Sequence, residues 1–200
     1  MSRACRIAPV VSMVAFVLLP AMTQAAAEIR VERLDEAFHI EATATLAANA
    51  ATAWQVLTDY NGLANFVPDL RVSRVVSAAG EPLRLEQSGD AGFLVLTFRI
   101  DVVLELDEAP PGRLAFRAVA GNVKRMRGHW LIRNAPAGIV LNYEAELEPA
   151  FRVPGLIATA LIRRNVARQF GGVVSEILKR EAVRNAAAPR GNKTGYADDD

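Results

Sequence analysis

The sequence predicts an α+β fold, a curved antiparallel sheet of about seven strands wrapped around a long C-terminal helix, with a short helical pair after the first strand. Three observations predict it. One strictly alternating segment, residues 38–46, precedes a helix-forming run at 53–76. Six further alternating segments follow without an intervening helix, and the last regular stretch repeats its apolar residues at helical spacing.

The N-terminal residues stand apart. Arg3 and Arg6 precede an apolar run from Ile7 to Pro20, and small residues continue through Ala27. A charged start, an apolar middle and a small-residue end form a secretory signal, with processing expected at Thr23-Gln24-Ala25 or Ala25-Ala26-Ala27. At about 14 residues the run is short of the roughly 20 that a membrane span requires. Residues 1–27 are therefore read as a cleaved signal peptide, and the mature protein is expected to be periplasmic or secreted. Residues 28–185 are read as one folded domain. Residues 186–200, which mix Pro, Gly and charge without apolar periodicity, are read as a disordered tail.

The only cysteine, Cys5, falls within the signal, so the mature chain has no thiol for a disulfide, a thiolate metal site or a nucleophile. Its stability must come from packing. The whole chain has 23 Lys and Arg against 22 Asp and Glu, and removing Arg3 and Arg6 leaves 21 against 22, a formal charge of −1. No basic excess points to nucleic acid.

The folded elements follow in order. Phe38, Ile40, Ala42, Ala44 and Leu46 alternate with His39, Glu41, Thr43 and Thr45, giving a strand with one buried and one wet face. Asn49 offers a side-chain oxygen to the free amides of a helix start, and Ala50, Ala53, Trp54 and Leu57 supply its apolar stripe. Asn61-Gly62 is expected to stop that helix in left-handed geometry. A short apolar turn, Leu63, Phe66 and Val67, ends at Pro68. Turn residues at 80–82, 89–92, 108–112, 121–122 and 134–138 then delimit strands near 71–79, 82–89, 93–107, 113–121, 123–133 and 139–148. The 93–107 segment places Leu94, Leu96, Phe98, Ile100, Val102, Leu104 and Leu106 on one face. Its length predicts a bend around the core. Over 154–184, Ile162, Val166, Phe170, Val173, Val174 and Ile177 recur every three or four residues, while Gly171-Gly172 implies close packing or a hinge.

With these elements placed, the chain resembles the START-like helix-grip (SRPBCC) superfamily, specifically its polyketide cyclase/dehydrase and coenzyme Q-binding branch. The resemblance rests on AWQVLTDYNGLANFVPDL at 53–70, FLVLTFRIDVVLEL at 93–106, the Gly128-His129-Trp130 step, and the closing helix after Phe151-Arg152-Val153-Pro154. It covers residues 37–181. It implies a cavity between sheet and helix for a lipid, quinone or polyketide, with no catalytic set that transfers residue by residue.

The side chains expected in that cavity come from each element in turn. Phe66 comes from the turn, Leu96, Phe98 and Ile100 from the long strand, and Phe116, Met126, Trp130 and Tyr143 from the strands after it. Ile162, Val166 and Phe170 come from the helix. Trp130 and Tyr143 bring polar atoms to an apolar interior, where they need a partner in the protein or on a ligand. Arg125, Arg127 and Arg163 form a candidate cationic rim, read either as a solvated face or as a contact for an anionic headgroup or membrane surface. The apolar residues 154–162 are either a membrane-touching lip or a buried helix start.

Catalytic alternatives are weak. His39 and His129 are the only histidines, both on outward parity. No HExxH, paired-cysteine or close acidic motif suggests a metal, and no G-x-S-x-G or phosphate-cradling glycine loop suggests a hydrolase or a nucleotide cofactor. No cofactor and no catalytic residue is therefore assigned. The leading reading is a carrier for a hydrophobic small molecule, a lipid or isoprenoid quinone. The alternatives are a cyclase/dehydratase acting through Tyr143 and a protein-interaction module with a closed core.

Overall fold

A computed structural model describes residues 27–93, 96–150 and 155–188. Of the signal expected over residues 1–27 and the tail expected over 186–200, residues 1–26 and 189–200 lie outside the described residues, and residues 186 and 187 fall within the last helix. Eight strands form one antiparallel sheet: β1 (Glu28–Leu34), β2 (Ala37–Leu46), β3 (Leu70–Val75), β4 (Arg84–Phe93), β5 (Leu96–Ala109), β6 (Arg113–Gly121), β7 (Val123–Ala135) and β8 (Gly138–Pro149). Their spatial order is β1-β2-β8-β7-β6-β5-β4-β3, so β1 and β3 are the edges. Helix α1 (Ala50–Leu57) and a 3-10 turn (Leu63–Asn65) link β2 to β3, and helix α2 (Gly155–Ala187) closes the fold.

The strand beyond the seven expected is β1, which pairs with β2 from Glu28↔Thr43 to Leu34↔Ala37. Only Ile29 and Val31 mark its inner face, and Leu34 is exposed, so the period-two signal is faint. In β2 the alternation translates directly: Phe38, Ile40, Ala42, Ala44 and Leu46 are all buried, and His39, Glu41 and Thr45 are exposed.

Asn49 caps α1 by accepting the Thr52 amide at 2.7 Å. The helix ends at Leu57, and Gly62 has φ −93, so the expected left-handed stop at Asn61-Gly62 does not occur. Asn61 instead accepts the Val75 amide at 3.0 Å, tying the turn to β3. The turn expected at 89–92 is also absent: β4 runs through to Phe93, with Gly89 opposite Ile100. Gly89 is a point of close approach, since a Cβ there would lie 2.5 Å from the Asp69 carbonyl.

Helix α2 lies across the concave face with Phe170, Val173, Val174 and Ile177 buried. Gly172 is tight against the turn after α1, where a Cβ would sit 2.5 Å from Pro68 Cδ and 2.6 Å from the Phe66 carbonyl, whereas Gly171 borders open space. Close packing therefore explains Gly172. Two ion pairs fasten the same turn to α2, Arg180–Asp59 at 2.7 Å and Arg168–Asp69 at 2.9 Å. Among the described residues no helix is long and apolar enough to cross a membrane.

Candidate functional site

The concave face and α2 leave a cavity of ≈ 260 Å³ between them. Inward residues of β5, β6, β7 and β8 (Phe98, Ile100, Phe116, Met126, Trp130 and Tyr143) form one wall, and Ile162, Val166 and Phe170 of α2 form the other. The alternation of the strands and the 3.6-residue turn of the helix bring these two sets face to face. Within the lining the aromatic rings pack on one another. Trp130 lies 4.6 Å from Tyr143 and 5.7 Å from Phe170, and Phe116 stacks 6.0 Å from Tyr143, measured between centroids. Large rings that meet at fixed angles do not collapse into every gap, which helps keep the space open.

Of the expected cavity residues, Phe66 is placed differently and the side chain of Leu96 is not described. Phe66 is not among the lining residues; it packs against α2, with the Arg180 guanidinium 5.5 Å from its ring centre. The turn presents Tyr60, Leu63 and Val67 to the cavity instead. Leu96 belongs to β5, but its side chain lies outside the described residues.

The three candidate rim arginines do not gather at the cavity. Arg125 and Arg127 flank inward Met126, so strand alternation turns them to the outer face. There Arg125 pairs with Glu146 at 2.8 Å and Arg127 with the same carboxylate at 2.6 Å. The two guanidinium groups hold Glu146 below its usual carboxylate pKa, Arg127 foremost. Arg163 borders a separate open groove with Thr159 and the β1 residues Glu28 to Val31. His39 is exposed, and His129 Nε2 lies 3.7 Å from Glu144 on the outer face.

The polar atoms of the cavity are few. Burial pushes the Tyr143 phenol well above its ordinary pKa, so its hydroxyl is a neutral donor. Burial likewise raises Tyr60, and its hydroxyl donates to Glu108, which adds to the shift. Gln87 donates to Ser73 at 3.5 Å, and Ser73 donates to the Tyr60 carbonyl at 2.6 Å. From α2, Asn165 and Gln169 also line the cavity. Sequence reasoning passed over this pair because it sits one residue off the apolar stripe. The usable signal was the four-residue spacing, which puts both amides on the face next to Val166 and Phe170.

Among the described residues no group of three or more His, Cys, Asp or Glu side chains is arranged to hold a metal. The one hydroxyl–carboxylate contact recorded for a lining serine is Ser88 donating to Asp101 at 2.6 Å, and Asp101 is itself paired with Arg99. What the arrangement does chemically is desolvate a guest and offer it a small number of hydrogen bonds.

A family described as polyketide cyclase / dehydrase and lipid transport matches residues 46–170. No curated protein matches the chain. Several solved structures share its fold. An aromatase/cyclase, Zhui, from a Streptomyces species is 21% identical with TM-score 0.59, covering 76% of this chain and 98% of its own. A STAR-related lipid transfer protein from Xanthomonas axonopodis is 16% identical with TM-score 0.60, covering 77% and 97%. A START superfamily protein from Mycobacterium smegmatis is 13% identical with TM-score 0.57, covering 73% and 98%.

Proposed function

Because the chain belongs to the polyketide cyclase / dehydrase and lipid transport family, we propose that it binds and carries a hydrophobic small molecule, a lipid or isoprenoid quinone, in the cavity between sheet and α2. The single observation that carries this reading is the apolar space of ≈ 260 Å³ walled by Phe98, Phe116, Trp130, Val166 and Phe170. Binding is driven by desolvation, at roughly 25 cal/mol per Å² of apolar surface buried, less the cost of ordering the guest. The volume is close to the lower end of the usual range of about 300–1,000 Å³. It therefore suits a ring system or short chain, and a long isoprenoid tail leaves through the mouth.

The signal-like residues 1–27 support a site of action outside the cytoplasm, in the periplasm or medium. Contact with a membrane surface during loading belongs to the same reading. Native mass spectrometry of protein purified from its own host tests it. A lipid-like adduct, removable by organic extraction and restored by added quinone or lipid, is the expected result. Protein that is empty on purification and takes up nothing from a panel of quinones and lipids overturns the proposal.

A second reading, a cyclase or dehydratase, is favoured by one feature. The Tyr143 hydroxyl belongs to a cavity-lining residue, and among the described residues no protein hydrogen bond engages it. A neutral phenol in that position is able to polarise a carbonyl. Tyr143→Phe separates the two readings: an enzyme loses turnover and keeps affinity, whereas a carrier has no turnover to lose.

A further inference from the structure

Resting on the cavity reading above, we infer that the guest is an uncharged molecule carrying a hydrogen-bonding oxygen, held by the carboxamides of Asn165 and Gln169, and that fatty acids and other anions are excluded. The inference comes from the charges and polar atoms around the cavity. Among the described residues, no Lys, Arg or His lines it. Of the arginines on α2 and β7, Arg168 is paired with Asp69, Arg180 with Asp59 and Glu176, and Arg125 and Arg127 with Glu146, while Arg163 borders the separate groove along β1 and Arg164 does not line the cavity. The one ionised side chain in the lining is itself an acid, Asp90, and it is already paired with Arg71. A carboxylate or phosphate entering this space loses its hydration and gains no counter-charge, which opposes its binding.

The neutral polar atoms tell the complementary story. Asn165 and Gln169 are half-buried on α2, one helical turn apart, and both face the cavity. Among the described residues no side-chain hydrogen bond occupies either carboxamide. Polar side chains next to an apolar void are normally satisfied. A carbonyl or hydroxyl oxygen on the guest would satisfy these, accepting from one amide N–H₂ and, if it carries a proton, donating to the other amide oxygen.

Three naphthalenes of equal ring size provide the test, titrated against the full chain at neutral pH and followed by intrinsic tryptophan fluorescence, with Trp130 in the wall as reporter. Naphthalene reports the apolar cavity alone, 2-naphthol adds a neutral oxygen, and 2-naphthoate adds a charge. The expected order is 2-naphthol tightest and 2-naphthoate at least about tenfold weaker. The double variant Asn165→Leu, Gln169→Leu should bind 2-naphthol about five- to tenfold more weakly and naphthalene unchanged or more tightly, as follows from one net hydrogen bond lost. Naphthalene binding accompanied by equal affinity for naphthol and naphthoate, or by a double variant that leaves naphthol affinity unchanged, overturns this inference and leaves the cavity reading standing. Failure of all three to bind overturns both.

Discussion

The indole of Trp130 lies parallel to the ring of Phe170, with centroids 5.7 Å apart and 1° between their planes. This contact joins β7 to the middle of α2 within the cavity lining. Phe170 is 2% exposed, so truncating it removes a large buried ring and leaves a void. Phe170→Ala should lower stability by about 3–5 kcal/mol in urea denaturation. It should also admit guests too large for the native cavity, which equilibrium binding of a graded series of aromatic ligands would register.

Neighbouring glycines on α2 should respond with opposite signs. Gly171→Ala adds a methyl to open space and should gain about 0.5–1 kcal/mol of helix propensity. Gly172→Ala drives its Cβ to 2.5 Å from Pro68 Cδ and 2.6 Å from a backbone carbonyl that cannot yield cheaply. Overpacking of this kind should leave it net destabilised by about 1–3 kcal/mol. Denaturation midpoints of the two single variants check the pair directly, and two shifts of the same sign would contradict the packing described.

Acid sensitivity should trace in part to Glu181. This buried carboxylate on α2 pairs with Arg184 and faces the Thr52 hydroxyl and Asn49 amide at the start of α1. Arg184 first, then Thr52 and Asn49, hold its pKa below the ordinary 4.5. Since the folded value is the lower one, its stabilising effect is complete above that ordinary value and is lost as pH falls through the folded value. Glu181→Gln should therefore cost stability near neutrality, about 1 kcal/mol as for a helix cap. The gap from the native protein should narrow in acid, as melting curves at the two pH values would reveal.

Tyr143→Phe should scarcely alter folding, because the change deletes a hydroxyl without stranding a protein partner. Its melting temperature should stay within the small range of a neutral surface change, or rise slightly. A large drop would mean that the hydroxyl is held by the protein after all.

Much of this architecture was readable in advance where burial is one-sided. The period-two runs of β2, β5, β7 and β8 and the three-four stripe of α2 translate directly into faces, and those faces select Phe98, Trp130, Tyr143 and Phe170 as neighbours. What remained hidden depends on three-dimensional competition. Asn61-Gly62 has the composition of a helix stop, but α1 had already ended at Leu57 and Asn61 was recruited by Val75. Gly89 reads as a turn residue and instead makes room for Asp69. Arg125 and Arg127 resemble a cationic rim until the β7–β8 register sets each beside an acid, Arg125 opposite Glu148 and Arg127 opposite Glu146. The role of Tyr60 and Leu63 in the cavity depends on how the turn folds back, which no linear pattern encodes.

The two margins of the sheet carry a further consequence. Strands β1 and β3 each have one row of backbone amides and carbonyls without a neighbouring strand, the arrangement through which β-proteins stack into fibres. Glu28, Arg30, Glu32 and Arg33 on one margin, and Arg71 and Arg74 on the other, are all exposed. A second molecule approaching either border must strip the water from these charged groups. A ligand-binding protein must often stand empty with apolar surface within reach, and this charged hem discourages such molecules from zipping together along their borders.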